Sequence, residues 1–187
     1  YGDCQGERVN ESRPLRPHTA RAQRRVDAEQ SVRFYGRSGV RSTILRVPGI
    51  YAQDRDGGTP RERLLRGTPV LRPQDDVYTN HIHANDLARA CVLALWRGRP
   101  QRAVNVCDDT DLKMGDYFDL AADLMGLPRP PRIARSAADQ ALPLMLLSFM
   151  SESRRLDNQR MKRELRLRLL VPHVRQGLSP QGGLFGA

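Results

Sequence analysis

Lysine is nearly missing from this chain. Of its 31 basic residues only Lys113 and Lys162 are lysines, and all the others are arginines. The arginines occur in every segment, often beside Asp or Glu. A nucleic-acid binder gathers its basic residues on one face or stripe, so the formal charge of +10 reads first as an arginine-rich composition. Cysteine is scarce as well. Cys4, Cys91 and Cys107 are far apart and odd in number, with no C-x-x-C pair. That excludes a disulfide framework and fits a reducing cytoplasm. No apolar run approaches the roughly 18–20 residues needed to span a bilayer. The longest, Ala141 to Met150, is broken by Pro143 and Ser148 and reads as a core or groove helix. Signature motifs are missing too: there is no G-x-S-x-G elbow, no P-loop and no G-x-G-x-x-G. The lone pair Gly57-Gly58 follows Asp54 and Asp56, which would repel a phosphate.

What is present suits a globular protein of one domain or parts of two: 187 residues, 39% hydrophobic and 28% charged. The chain opens on Tyr1-Gly2-Asp3, with neither an initiator Met nor an apolar leader, as a piece of a longer chain would. Residues 3–19 read as a polar surface loop. A helix is expected over 20–38, with an apolar edge at Ala28, Val32 and Tyr35, and it is a candidate homodimer face. The β-branched run Val40–Val47 reads as a buried strand ending at Pro48-Gly49. A loop over 52–60 leads into a short helix from Thr59-Pro60 to Leu65, closed by Gly67. Val77–His83 is strand-like. Residues 84–97 form the clearest helix, with Leu87, Ala90, Cys91, Ala94 and Leu95 on one stripe and Asp86 in the first turn. Ala103–Cys107 reads as a strand. A helix over 113–125 ends at Gly126, a Pro-rich extended stretch covers 127–136, and two more helices are expected at 137–149 and 154–168. Strands alternating with helices across short turns indicate an α/β fold.

His81 and His83, two apart on a strand, project to the same face. They could share a metal with Asp86 or Asp76, yet no third ligand lies at a diagnostic spacing. Cys91 is expected in the core. Cys107 stands beside Asp108 and Asp109, whose charge raises a thiol pKa, so it is no nucleophile. The 154–168 segment carries seven basic residues, Arg154, Arg155, Arg160, Lys162, Arg163, Arg166 and Arg168, opposite an expected buried edge of Leu156, Met161, Leu165 and Leu169. It is a candidate polyanion-binding helix, though no aromatic within it can stack a base.

Several segments, in order, resemble the extended and atypical short-chain dehydrogenase/reductases, the NAD-dependent epimerase/dehydratase family. Tyr1-Gly2 is similar to the end of the S-S-x-x-V-Y-G strand, and Glu11, Pro14 and Pro17 to E-x-x-P-x-x-P. Leu45–Tyr51 resembles L-R-x-x-N-x-Y, and His81–Ala90 resembles F-I-H-V-D-D-L-A-x-A. Asn105-Val106 fits the N-[IV]-G strand and Gly177-Leu178 the closing E-G-L. The likeness extends over roughly 1–178.

The resemblance implies the carboxyl-terminal part of a doubly wound, Rossmann-like parallel sheet over 1–110, interrupted by a substrate-side insertion at about 52–80. A mainly helical substrate-side region over 111–178 and a disordered tail at 179–187 would follow. NAD or NADP is the implied cofactor, but the glycine-rich loop that holds its pyrophosphate would precede Tyr1. Pro48, Gly49 and Ile50 would line the nicotinamide side, and Asn80 and His81 would face a small-molecule substrate. The family's catalytic Tyr and Lys places hold Arg21 and Arg25. A guanidinium cannot exchange a proton at neutral pH, so Arg21 cannot act as the general acid/base, and His81 becomes the first candidate. Thr79, followed by Asn80, stands where nucleotide-sugar members often place a diphosphate-gripping Arg, which argues against a UDP- or dTDP-sugar. Three readings stay open: an oxidoreductase or epimerase acting on a carbonyl or sugar-type molecule, a non-catalytic NAD(P)-binding scaffold or sensor, and a polyanion-binding module. No membrane association is expected and nucleic acid is disfavoured.

Overall fold

The computed structural model describes residues 1–179 and is a mixed α/β structure. From the amino end, β1 (Arg8–Val9) precedes the long α1 (Ala20–Arg37), and β2 (Thr43–Arg46) and β3 (Gly49–Tyr51) follow. The short α2 (Arg61–Leu65), β4 (Val70–Leu71), β5 (Tyr78–Thr79) and β6 (His81–His83) lead to α3 (Ala84–Arg97) and β7 (Arg102–Asn105). Next come β8 (Leu112–Lys113), α4 (Met114–Met125), β9 (Arg132–Ile133), α5 (Arg135–Ala141) and α6 (Leu144–Met150). The last elements are β10 (Arg155–Leu156), a π-helical turn at Met161–Leu165 and α7 (Val174–Leu178). The tail expected at 179–187 falls, from residue 180 on, outside the described residues.

Pairing joins segments far apart in sequence. Strands β2 and β7, β3 and β6, β1 and β10, and β4 and β9 pair in parallel, while β5 and β8 run antiparallel. Parallel neighbours need long crossovers, which the intervening helices supply here. The expected strand Val40–Val47 shrinks to Thr43–Arg46, because Gly39 takes a φ of +93° and turns Val40 into solvent. The strand expected at Ala103–Cys107 begins one residue earlier and ends two earlier, at Arg102–Asn105. Buried apolar side chains fall into two clusters. One gathers Ile82, Ala90, Val104 and Val106 with Met161, Leu165 and Leu167. The other packs α4 against Tyr51, Val70, Leu71, Val174 and Leu178.

Where local signals were strong, the elements match them. Helix α4 buries Met114, Phe118, Ala121 and Ala122 and ends at Gly126, whose φ of 63° is the left-handed turn glycine adopts without a Cβ clash. Helix α3 covers 84–97, as its stripe indicated, and is capped by His83, whose Nδ1 accepts the Asn85 N–H at 3.3 Å.

Tertiary contacts override the other signals. Val77–His83 is two strands, split at Asn80. That side chain accepts the Leu156 N–H at 2.7 Å and donates to Arg154 O at 2.9 Å, tying the chain to β10. The 137–149 helix is α5 and α6, because Pro143 has no N–H to continue the ladder. Residues 154–168 are not one helix. They form β10, the π-helical turn and Arg166 at a φ of 53°. The basic groups there reach separate partners: Arg154 pairs with Glu152, Arg155 with Asp111, Arg160 with Glu11 and Lys162 with Asp109. Helix α1 forms as expected but faces the other way. Glu29 binds both Arg46 and Arg33, so the polar side packs inward and Ala28, Val32 and Tyr35 face solvent. Cys91, expected in the core, is exposed. Asp86, wholly buried, accepts the backbone N–H groups of Leu170 and Val171, and that tether sets which side of α3 faces inward.

Candidate functional site

The parallel pair β3–β6 brings the Pro48-Gly49-Ile50 segment beside His81. Gly49 lies opposite His81 in register, Ile50 opposite Ile82 and Tyr51 opposite His83. Pairing alternates side chains across the strand, so His81 and His83 flank Tyr51 on one side. The Tyr51 ring meets both imidazoles edge-on, with centroids 6.2 and 5.3 Å away. His81 also stacks on Tyr117 of α4 at 4.2 Å. Helix α7 closes the far side. A Cβ at Gly177 would lie 2.6 Å from the Tyr51 ring and 2.9 Å from Val171, so only glycine allows that approach.

Asp108, just past β7, completes the cluster. Its backbone N–H donates to His81 O at 2.8 Å, and its Oδ1 accepts the Thr110 N–H. Among the described residues its Oδ2, the Tyr51 hydroxyl and His81 Nδ1 are buried with no hydrogen-bond partner within 3.5 Å, although Tyr51 and Asp108 lie close enough to influence one another. Burial pushes the Asp108 carboxyl up to about 7 and the His81 imidazole down to about 4. Burial, then the nearby Asp108 charge, raises the Tyr51 and Tyr117 phenols. At neutral pH the cluster therefore holds a neutral imidazole, two neutral phenols and a carboxyl near its midpoint. Buried polar groups usually find partners, so three orphans in one place mark the cluster out.

The remaining expected site residues are placed as follows. Gly49 is exposed, and Pro48 and Ile50 are half-buried. A Cβ on Gly49 would meet Asn80 O at 3.4 Å and His81 Cδ2 at 3.5 Å, which are ordinary contacts. Packing thus does not require glycine there, and its backbone is left exposed. Asn80 has both ends of its amide engaged by β10. Arg21 lies exposed on α1, its guanidinium 4.3 Å over the Phe149 ring, and Arg25 is exposed one turn on. Neither is drawn to His81. Among the described residues no group of three or more His, Cys, Asp or Glu side chains is placed to hold a metal ion.

A second network joins positions that carried the family likeness. Arg46 donates to Glu29 at 2.8 and 2.9 Å and to the Tyr1 hydroxyl at 2.7 Å. That hydroxyl donates to Asn105 Oδ1 at 2.7 Å, and Glu11 accepts the Asn105 N–H at 2.8 Å. These residues clamp the ends of β2 and β7 together. Their motif positions pointed to importance, and the importance found is architectural. Tyr51, Asp108 and Tyr117 were not expected in a site. Only Tyr51 lay within a quoted motif, and nothing local signals that three such distant residues converge.

No family model matches the chain, and no curated protein does. Solved structures do. A functionally unknown conserved protein from Silicibacter pomeroyi superposes with a TM-score of 0.82 at 35% identity, over 95% of this chain and 60% of that one. The likeness is one of fold. A nucleoside-diphosphate-sugar epimerase from Pseudomonas aeruginosa gives a TM-score of 0.72 at 21% identity, over 88% of this chain and 55% of that one. A dTDP-glucose 4,6-dehydratase from Streptomyces venezuelae, solved with NAD bound, gives 0.71 at 20% identity, over 95% of this chain and 55% of that one. The chain thus has the Rossmann-like α/β fold of epimerases and dehydratases and spans between about half and two thirds of the length of the structures it matches.

Proposed function

We propose that this chain is the carboxyl-terminal part of an NAD(P)-dependent oxidoreductase of the epimerase/dehydratase kind, acting on a carbonyl or sugar-type small molecule. The observation that carries the reading is the β3–β6 crossing, where exposed Gly49 lies in register with His81 in a fold shared with nucleotide-sugar enzymes. In this reading residues 1–110 belong to the dinucleotide-binding sheet, with the insertion at 52–80, and 111–178 to the substrate side. Residues present in the chain fit one end of a dinucleotide only. Pro48, Gly49 and Ile50 would hold the face of the nicotinamide, which supplies hydride exchange when bound. No residue run here can cradle a pyrophosphate.

The chain's own groups then divide the remaining work. Asn80 holds the β5–β6 junction to β10, fixing the floor under Gly49. His81 stays neutral and enclosed, so it orients Tyr117 and Tyr51 and excludes water rather than exchanging a proton with substrate. A cytoplasmic location follows the cysteine pattern. The exposed Val32, Phe34 and Tyr35 side of α1 would form a homodimer face.

One observation favours a second reading, a non-catalytic NAD(P)-binding sensor of the same fold. Arg21 rests on Phe149, Arg25 lies in solvent and His81, though beside Gly49, is buried, so no exposed proton donor from the expected set stands at Gly49. The polyanion-binding reading loses its helix and is set aside. The test is hydride transfer by the full-length protein across a panel of carbonyl compounds and sugar nucleotides, repeated with Arg21→Ala and His81→Ala. Turnover with at least one substrate is expected, unchanged in Arg21→Ala. Cofactor binding with no turnover across the panel would support the sensor.

A further inference from the structure

Helix α2 turns one arginine inward. Its Arg61, Glu62, Leu65 and Arg66 are exposed, whereas Leu64 is buried and Arg63 is half-buried against α4. The Arg63 guanidinium lies 4.2 Å over the Phe118 ring, which covers its face and offers no acceptor to its edge. Nε and Nη2, the two donors of one edge, are buried and among the described residues meet no hydrogen-bond partner. A guanidinium cannot shed its charge to relieve burial, and a buried charge without a partner is costly. Burial lowers the Arg63 pKa, the Tyr117 phenol opposes that and Arg66 adds to it. The acids of both helices are committed elsewhere. Glu62 of α2 pairs with Arg66 at 3.7 Å. On α4, Asp116 and Asp119 pair with Arg132, and Asp123 pairs with Arg129. The same edge binds carboxylates at other places in this molecule. Nε and Nη2 together grip Glu29 from Arg46, Glu164 from Arg102 and Asp123 from Arg129, at 2.5–3.0 Å.

We infer that the buried edge of Arg63 binds a small oxyanion between α2 and α4, with two of its oxygens on Nε and Nη2. A carboxylate or a phosphoryl group supplies that pair of oxygens. Chloride, a single atom, does not match the fork. Entry requires α2 to part locally from α4, and the helix is built for that. It is five residues long, the Gly57-Gly58 loop leads into it, and Gly67 follows it at a φ of 61°. Short elements with few buried side chains open at low cost.

The test is amide exchange in the full-length protein at Leu64, Arg66 and Thr68, whose N–H groups bond within and just after α2. Sodium formate and inorganic phosphate are titrated separately, with chloride holding the ionic strength constant. Exchange should slow saturably with at least one of them, by roughly tenfold once the anion stands at ten times its dissociation constant. Tighter saturation by formate assigns a carboxylate, and tighter saturation by phosphate a phosphoryl group. Arg63→Met keeps an apolar chain against Phe118, and Arg63→Lys keeps the charge without the fork. Each should raise the apparent dissociation constant at least about tenfold. Arg66→Met should respond as its parent does, because Arg66 is exposed. None of these readouts involves NAD(P), so the site stands or falls apart from the proposed cofactor. Absence of saturation with both anions, or an undiminished response in Arg63→Lys, would overturn the inference.

Discussion

Asp108 and His81 are shifted in opposite directions by the same burial, and their effects on stability oppose one another. The Asp108 carboxyl is raised to about 7, so the folded protein holds a proton that the unfolded chain has released. Its contribution is present below the unfolded pKa and is lost as pH rises through the window from about 4 to about 7. His81 is lowered from 6.5 to about 4, so the unfolded chain binds the proton first and acid destabilises the fold over that window. Each contribution is at most roughly 4 kcal/mol. In the wild type the two slopes largely cancel between pH 4 and 6.5. Asp108→Asn should leave the His81 slope bare, with stability rising from pH 4 to 6.5 and higher than wild type at pH 8. His81→Phe should show the reverse, a fall toward pH 7. Denaturant unfolding of the folded protein at pH 4.5, 6 and 8 checks both signs.

Two further residues hold elements in place. Asp86 accepts two backbone N–H groups while fully buried, so Asp86→Ala should cost about 3–5 kcal/mol by leaving those donors unpaired and Arg89 without its partner. Gly177→Ala should cost about 1–3 kcal/mol by driving a methyl into Tyr51 and Val171. Chemical denaturation of each variant measures the loss.

At the scale of elements, the sequence was legible where local chemistry decides. Helices α3 and α4, the Gly126 stop and the strand character of 43–46 and 102–105 follow from apolar spacing, caps and β-branching. It was illegible where a distant partner decides. Nothing near Glu29 says that Arg46 will turn α1 with its polar side inward, and nothing near Asn80 says that β10 will split a strand there. The 154–168 segment has helical spacing, yet its basic side chains reach Glu11, Asp109 and Asp111 on other elements, and the segment divides into β10 and a short π-helical turn. The candidate site was half legible. Motif positions singled out Pro48–Ile50 and Asn80–His81 separately, whereas the β3–β6 pairing that brings them together and the Asp108–Tyr51–Tyr117 cluster depend on distant contacts. Glu29→Gln tests the account of α1. It should release α1 without unfolding the rest, seen as faster amide exchange over 20–37 with α3 and α4 unchanged.

For the whole molecule, apolar exposure is the dominant fact. Leu95, Trp96, Phe34, Tyr35 and Leu144 all stand in solvent, and β2 has an open edge. The isolated chain should therefore bind a hydrophobic dye or self-associate, and a monodisperse monomer with a sharp melt and no dye binding would count against that. No helix among the described residues is long and apolar enough to cross a membrane. In the function proposed above, this chain would form one wall of a dinucleotide site, with the phosphate-binding loop supplied by a longer full-length protein. Calorimetric titration of NAD⁺ and NADP⁺ into the 187-residue chain and into the full-length protein tests it most directly. The account predicts saturable binding of one of the two by the full-length protein and none by the 187-residue chain. Equal binding by both proteins, or binding by neither, would contradict it.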